Sequence, residues 1–371
     1  MIILIALVVV LVIIVSLYMQ RPTFGAKPTG KRLQKMQASP HYKNGTFVNR
    51  TYTPSLTEGY SMTKVMFDFL FRKGASTKPK GTIPAVHTDL KNLPAGDWLV
   101  WFGHSSYFIQ TDGLTFLVDP VFSGNASPVP GSTKAFKGAN VYTTDDMPEI
   151  DYLFISHDHY DHLDYETVKK LKEKVKKVIC GLGVGAHLER WGYEPENITE
   201  MDWNTAVKPQ QGVKIFGLEA RHFSGRSFKR DQTLWLSFLL QTPTRKIYIG
   251  GDSGYDKHFK EIGALHGPID LAILENGQYN EAWKAIHFLP GENLQAAIDL
   301  KANRLMPVHS SKFDLALHAW DEPLKEMVKR NEKIGLPLVT PQIGEPVNLN
   351  DSAQVFTEWW KDVDYAGMHS G

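Results

Sequence analysis

Hydrophobic positions fall into three regimes along the chain, and each predicts a different kind of element. Residues Ile2 to Tyr18 form a run that carries no charge and is almost entirely Ile, Leu and Val. At 1.5 Å per residue such a helix reaches roughly 25 Å, the short end of a membrane-spanning length. No Lys or Arg precedes the run and no Ala-x-Ala follows it, so residues 1–20 are expected to form an uncleaved transmembrane helix rather than a signal peptide. Arg21, Lys27, Lys31, Arg32 and Lys35 lie just beyond it. By the positive-inside rule the protein is then a single-pass membrane protein with its catalytic domain on the cytoplasmic side.

The second regime, residues 21–96, reads as a linker and N-terminal extension, because Pro, Gly, Thr and Lys are scattered through it without apolar periodicity up to about residue 60. Its one apolar run, Met62 to Arg72, could face a membrane; packing against the core is favoured because such runs are usually buried. From residue 97 to 350, short apolar runs bounded by Gly, Asp and Pro alternate with helical patterns. Strands are expected at 98–102, 106–110, 114–118, 152–156, 178–180, 213–218, 234–240, 246–249, 271–274 and 305–308. Helices are expected after residues 164, 184, 255, 291 and 321, which makes residues 97–350 a single mixed α/β domain. Residues 351–371 form a tail whose Trp359 and Trp360 should pack back on it.

Composition narrows the function. Lys and Arg number 41 against 40 Asp and Glu, so no global basic field exists to attract a nucleic acid, and none is expected as partner. Cys180 is the only cysteine, which excludes an intrachain disulfide and a thiolate cage for a metal. An isologous homodimer is open, although no interface is legible.

The chemistry concentrates at residues 157–162, His-Asp-His-Tyr-Asp-His. The run follows the apolar stretch 152–156 and precedes Asp164, a suitable N-cap, so it sits in a strand-to-helix loop. Its spacing suits two metals, since His157 and His159 can point one way while Asp161 and His162 point another. Further ligands must come from other strand ends, and His222, Asp252 and His309 each follow an apolar run. Imidazole with carboxylate suits zinc, with iron or manganese as alternatives. His104 is read as a turn residue, and His187, His258, His266 and His318 as ordinary surface or core residues.

Together with Gly103-His-Ser-Ser106, Leu117-Val-Asp-Pro-Val-Phe122 and Gly251-Asp-Ser-Gly-Tyr255, the motif resembles the metallo-β-lactamase superfamily over roughly residues 97–325. It is most similar there to the branch of N-acylphosphatidylethanolamine-hydrolysing phospholipases D and their bacterial relatives. The resemblance implies an αββα four-layer sandwich, two mixed β-sheets packed face to face with helices outside. It assigns His157, His159 and His222 to one Zn²⁺, and Asp161, His162 and His309 to a second, with Asp252 between them. It also implies a catalytic role for Asp161 and a membrane lipid as substrate, and it places His287 near the cleft, where this residue either orients the substrate phosphate or protonates the leaving group; a structural histidine is the alternative. The expected activity is phosphodiester hydrolysis, with water activated between the two zinc ions. Hydrolysis of a soluble lactone or cyclic phosphodiester is the alternative. A β-lactamase is disfavoured, and the 30 positions from His222 to Asp252 leave no room for the inserted domain of a nuclease. A non-catalytic, membrane-tethered metal-binding module is a further alternative, although no ligand position has been lost.

Overall fold

The computed structural model describes residues 1–71 and 74–364. Arg72, which closes the Met62 run, and the end of the tail lie outside the described residues.

Three helices, α1 (Ile2–Tyr18), α2 (Gly30–Gln37) and α3 (Met62–Phe71), precede the domain. The expected membrane anchor is corrected here: among the described residues no helix is long and apolar enough to cross a membrane. Helix α1 stops after 17 residues, roughly 25 Å, against about 30 Å of hydrocarbon. Its last turn is also committed to the domain, because the Tyr18 hydroxyl donates to Pro128 O at 2.9 Å and its ring meets Phe24 edge-on. The single-pass topology and the cytoplasmic placement inferred from it fall with the anchor. The chain then straps onto the domain: Trp191 Nε1 donates to Pro22 O, the Arg226 guanidinium to Thr23 O, and Ala26 N to His187 Nδ1. Helix α3 lies on the domain but buries none of its residues, so it packs there without joining the core. Met66, Leu70 and Phe71 point outward while Phe69 stacks on Trp283 at 6.0 Å.

After a small hairpin, β1 (Tyr42–Lys43) and β2 (Thr46–Phe47), two sheets form. The first holds β3 (Trp98–Trp101), β4 (Tyr107–Thr111), β5 (Leu114–Val118), β6 (Ile150–Ile155), β7 (Val175–Gly181) and β8 (Ile198–Met201). The second holds β9 (Thr205–Gln210), β10 (Val213–Leu218), β11 (Ser237–Gln241), β12 (Lys246–Ile249), β13 (Leu271–Glu275) and β14 (Leu305–Val308). A last strand, β15 (Pro346–Asn348), returns to pair with β3. Each sheet is mixed in the same way: an antiparallel meander, β3-β4-β5 or β9-β10-β11-β12, runs into parallel strands, β5-β6-β7-β8 or β12-β13-β14. Parallel neighbours need crossovers: α4 (Tyr165–Leu171), α5 (Gly185–Arg190), α6 (His258–His266) and α7 (Glu292–Asp299) supply those after β6, β7, β12 and β13, and residues 119–149 carry the one from β5 to β6 without a helix. Helix α8 (Glu322–Asn331) follows β14.

Side chains alternate across each strand and sort into layers. Tyr107 and Ile109 of β4 join Phe238, Leu240, Ile247 and Ile249 in the core between the sheets. Phe108, Leu153 and Val178 face the other way, onto Val168, Leu171 and Leu188 of the first helical layer. Leu239, Tyr248 and Ala272 do the same toward Phe259, Leu294 and Met327. With both faces covered, the strands read as nearly continuous apolar runs, which is why most were legible. The four-layer α/β sandwich follows.

Candidate metal centre and active-site cleft

Every apolar strand of the inner parallel region ends at one rim of the sandwich, and polar residues begin there. Strand β6 delivers His157, His159, Asp161 and His162, β12 delivers Asp252, and His309 follows β14 directly. His222 comes four residues after β10. The six-residue run is pinned at both ends. Ser156 N donates to Asp119 Oδ1 at 2.8 Å before it, and Asp164 caps α4 after it by accepting from Glu166 N. Gly251, at φ +59°, allows the β12 turn to lie against Ser156, because a Cβ there would stand 2.9 Å from the Ser156 Cβ.

All seven residues singled out as ligands converge. His157 Nε2 lies 2.9 Å from His159 Nδ1, which lies 3.3 Å from His222 Nε2. Three imidazole nitrogens at such separations match the roughly 3.3 Å spacing of donors around a tetrahedral zinc. The remaining nitrogen is anchored in each outer ring: His157 Nδ1 meets Ser156 Oγ at 3.0 Å, and His222 Nδ1 donates to Ile286 O at 2.9 Å. A second group joins His104, Asp161, His162 and His309, whose ligand atoms lie within 4.8 Å of one another. Between the groups stands Asp252, with Oδ2 3.7 Å from His222 Nε2 and 3.2 Å from His162 Nε2, and Oδ1 3.1 Å from His309 Nδ1. His162 Nε2 and Asp252 Oδ1 are buried without a hydrogen-bond partner. Orphaned polar atoms at the focus of a donor cluster are what a cation would satisfy, so the residues fit a divalent metal site.

Electrostatics prepare the donors. Burial, then the mutual repulsion of neighbouring imidazolium charges, pushes His157, His222 and His309 well below the usual histidine range, and burial brings His159 to about 4. These rings are therefore neutral at pH 7, the state in which imidazole binds metal. His162 shifts the opposite way: burial opposes its charge, but Asp252, Asp161 and the bond it donates to Asp119 outweigh it.

The supporting residues went unassigned in the sequence. His104, read as a turn residue, does sit at φ +54°, yet its Nε2 donates to Asp161 Oδ2 at 2.8 Å. Asp119 Oδ2 accepts from His162 Nδ1 at 2.8 Å, directing Nε2 inward. His187 is likewise more than filler, since its Nε2 contacts Asp158 Oδ2 at 3.2 Å. Glu275 shares a proton with His287 Nδ1 across 2.6 Å, burial raising the acid and lowering the base. Asp119 and Glu275 both stand at the ends of apolar strands, so the rule that found Asp252 would have found them too.

His159, Asp161, Asp252, His287 and His309 open into a cavity of about 280 Å³ walled by Met62, Val65 and Phe69 of α3 and by Phe223 and Trp283. A larger hollow of about 640 Å³ near Arg21, Lys134 and Tyr165 includes none of the metal-cluster residues, and chemistry rather than size identifies the site.

A family model described as a beta-lactamase superfamily domain matches residues 115–310, more than half of the chain and all of the converging residues. The chain belongs to the metallo-β-lactamase superfamily. It is a metal-dependent hydrolase of that superfamily. An uncharacterized protein of Mycobacterium tuberculosis is 35% identical over 332 residues, covering 88% of each chain. N-acyl-phosphatidylethanolamine-hydrolyzing phospholipase D 1 of Caenorhabditis elegans is 28% identical over 74% of this chain and 82% of its own. Among solved structures, the metallo hydrolase Igni18 of Ignicoccus hospitalis shares the fold at TM-score 0.52 and 20% identity, covering 68% of this chain and 97% of that one.

Proposed function

We propose that this metallo-β-lactamase superfamily hydrolase is a dinuclear zinc phosphodiesterase of the phospholipase D type, acting on N-acylphosphatidylethanolamine-like lipids. The observation that carries the reading is the apolar cavity beside the metal cluster, where Val65, Phe69 and Trp283 face Asp252 and His287. Such a wall suits a hydrocarbon chain next to a phosphoryl group. The similarity to the Caenorhabditis elegans phospholipase supports the same substrate class.

His157, His159 and His222 would hold one ion, Asp161, His162 and His309 the other, and Asp252 would lie between them. Such ions, when bound, lower the pKa of water toward neutrality and polarise a phosphoryl oxygen. The protein supplies the rest. Asp161, fixed by His104, accepts a hydrogen bond from the attacking water and so orients it. Burial keeps a proton on Glu275 in its bond to His287 Nδ1, so the neutral ring carries its own proton on Nε2; as Nε2 gives that proton to the departing alcohol, Nδ1 takes the one from Glu275. The products are a phosphatidic acid and an N-acylethanolamine.

Hydrolysis of a water-soluble ester or lactone is the second reading, and the modest cavity volume of about 280 Å³, at the low end for small-molecule sites, favours it. Lipid mass spectrometry separates the two. Phosphatidic acid released from N-acylphosphatidylethanolamine by zinc-loaded protein supports the first; turnover of a soluble ester without it leaves only the second.

A further inference from the structure

We propose that Arg230 is the anion-recognition residue of the metal cleft, its guanidinium gripping the unesterified oxygens of the substrate phosphodiester while the α3 wall takes the hydrocarbon part. The assignment rests on the phosphodiesterase reading and adds the residue that selects for it.

Arg230 lines the same cavity as His159, Asp161 and Asp252. Its Cζ stands 3.7 Å from the centroid of the Phe223 ring, and Nη1 donates to Ser55 Oγ at 3.2 Å. Both partners are neutral. Among the described residues no carboxylate forms an ion pair with it within 4.0 Å. The guanidinium is close enough to the cluster for its charge to help depress His159, after burial and the opposing pull of Asp161 and Asp158. Burial lowers the affinity of Arg230 for its own proton and outweighs the charge of its neighbour Asp231, which favours the guanidinium without pairing with it.

Arg226, on the same loop, makes the contrast. It is buried and its donors are spent on Asp158 O, Leu163 O and Thr23 O. That arginine is structural, whereas Arg230 keeps N–H edges to offer. Stacking on Phe223 fixes the guanidinium plane and leaves those edges in the cleft, where a fork of parallel donors matches two phosphoryl oxygens. A lysine there would supply charge without the fork.

The test uses full-length, zinc-loaded protein with Arg230→Gln and Arg230→Lys. Kinetics are measured on bis(p-nitrophenyl) phosphate, on N-acylphosphatidylethanolamine in mixed micelles, and on neutral p-nitrophenyl butyrate. Calorimetry follows inorganic phosphate directly. Arg230→Gln is expected to raise KM for both diesters, and the phosphate dissociation constant, by about ten- to a hundredfold with little change in kcat. Arg230→Lys should recover part of the loss, and the butyrate constants and the Tm should stay in place. A KM effect confined to the micellar diester would mean that Arg230 reads the lipid aggregate rather than the phosphoryl group, and overturns the assignment. So would equal losses on diester and butyrate, or an unchanged phosphate constant. If neither diester is hydrolysed, the phosphodiesterase reading fails, and the calorimetry still decides the role of Arg230.

Discussion

His104 Nε2 donates to Asp161 Oδ2 at 2.8 Å across 57 positions of sequence, and this bond holds the second metal group in shape. Both residues are needed in register: His104 is fully buried, and Asp161 is held well below the usual carboxylate range because His162 and His104 outweigh its burial. Outer partners of this kind typically change metal affinity by about ten- to a hundredfold. His104→Ala should therefore lose one metal equivalent on dialysis against a weak chelator while keeping the other. Two retained equivalents, counted by elemental analysis, would show that Asp161 needs no such support.

Asp252 reaches toward His222 and His162 with one oxygen and toward His309 with the other, so it links the two groups. Asp252→Asn keeps the shape and removes a charge. Turnover should fall by more than about a hundredfold, with metal content reduced below two equivalents. Activity within a few-fold of the parent would remove Asp252 from the site.

Metal also bears on stability. The donors converge with buried atoms unpartnered, so the metal-free protein carries repulsion that an ion relieves. At about a hundred times its dissociation constant an ion binding only the folded state adds about 2.7 kcal/mol, a rise of a few degrees in Tm for a chain of this size. Calorimetric scans with and without zinc read this directly, and coincident transitions would contradict it.

Lys312 offers a pH signature apart from catalysis. Its ammonium is buried, donating to Phe102 O and Val121 O at 3.0 and 2.9 Å, and burial pulls it from 10.5 to about 7 against the charge of Asp164. Between those values the folded chain binds fewer protons than the unfolded chain, so stability from this position rises as pH climbs through the window. Compared with Lys312→Met, the parent should gain about 1 to 3 kcal/mol on going from about pH 7 to about pH 9.5. Denaturant midpoints at the two pH values measure the gain, and a constant difference would place the lysine outside the titration.

What the apolar pattern could and could not reveal has a physical basis. Strands β5, β10, β12 and β14 match their apolar runs residue for residue because both faces are buried. The strands it missed, β1, β2, β8, β9 and β15, are all sheet edges. β9 shows the reason: Thr205–Gln210 is largely exposed and carries Lys208 and Pro209, so ladder hydrogen bonds on one side, not burial, make it a strand. At the site, histidines clustered in sequence were legible and Asp119 and Glu275 stand at strand ends where the rule that found Asp252 applies, whereas the role of His104 depends on a partner 57 positions away. The error at Ile2–Tyr18 has another cause: hydropathy reports the absence of charge, but not that Tyr18 is tied to Pro128.

The strap at Pro22–Ala26 couples the N-terminal extension to the metal loop. Thr23 is held by Arg226, which also holds the carbonyls of Asp158 and Leu163, and Ala26 is held by His187, which contacts the Asp158 carboxylate. Its anchors come from both halves of the fold, His187 from α5 and Arg226 from the loop after β10. Detaching residues 22–26 would leave Arg226 and His187, the two side chains that grip Asp158 between His157 and His159, without those partners, so a cut in the strap is felt at the metal loop rather than at the N-terminus.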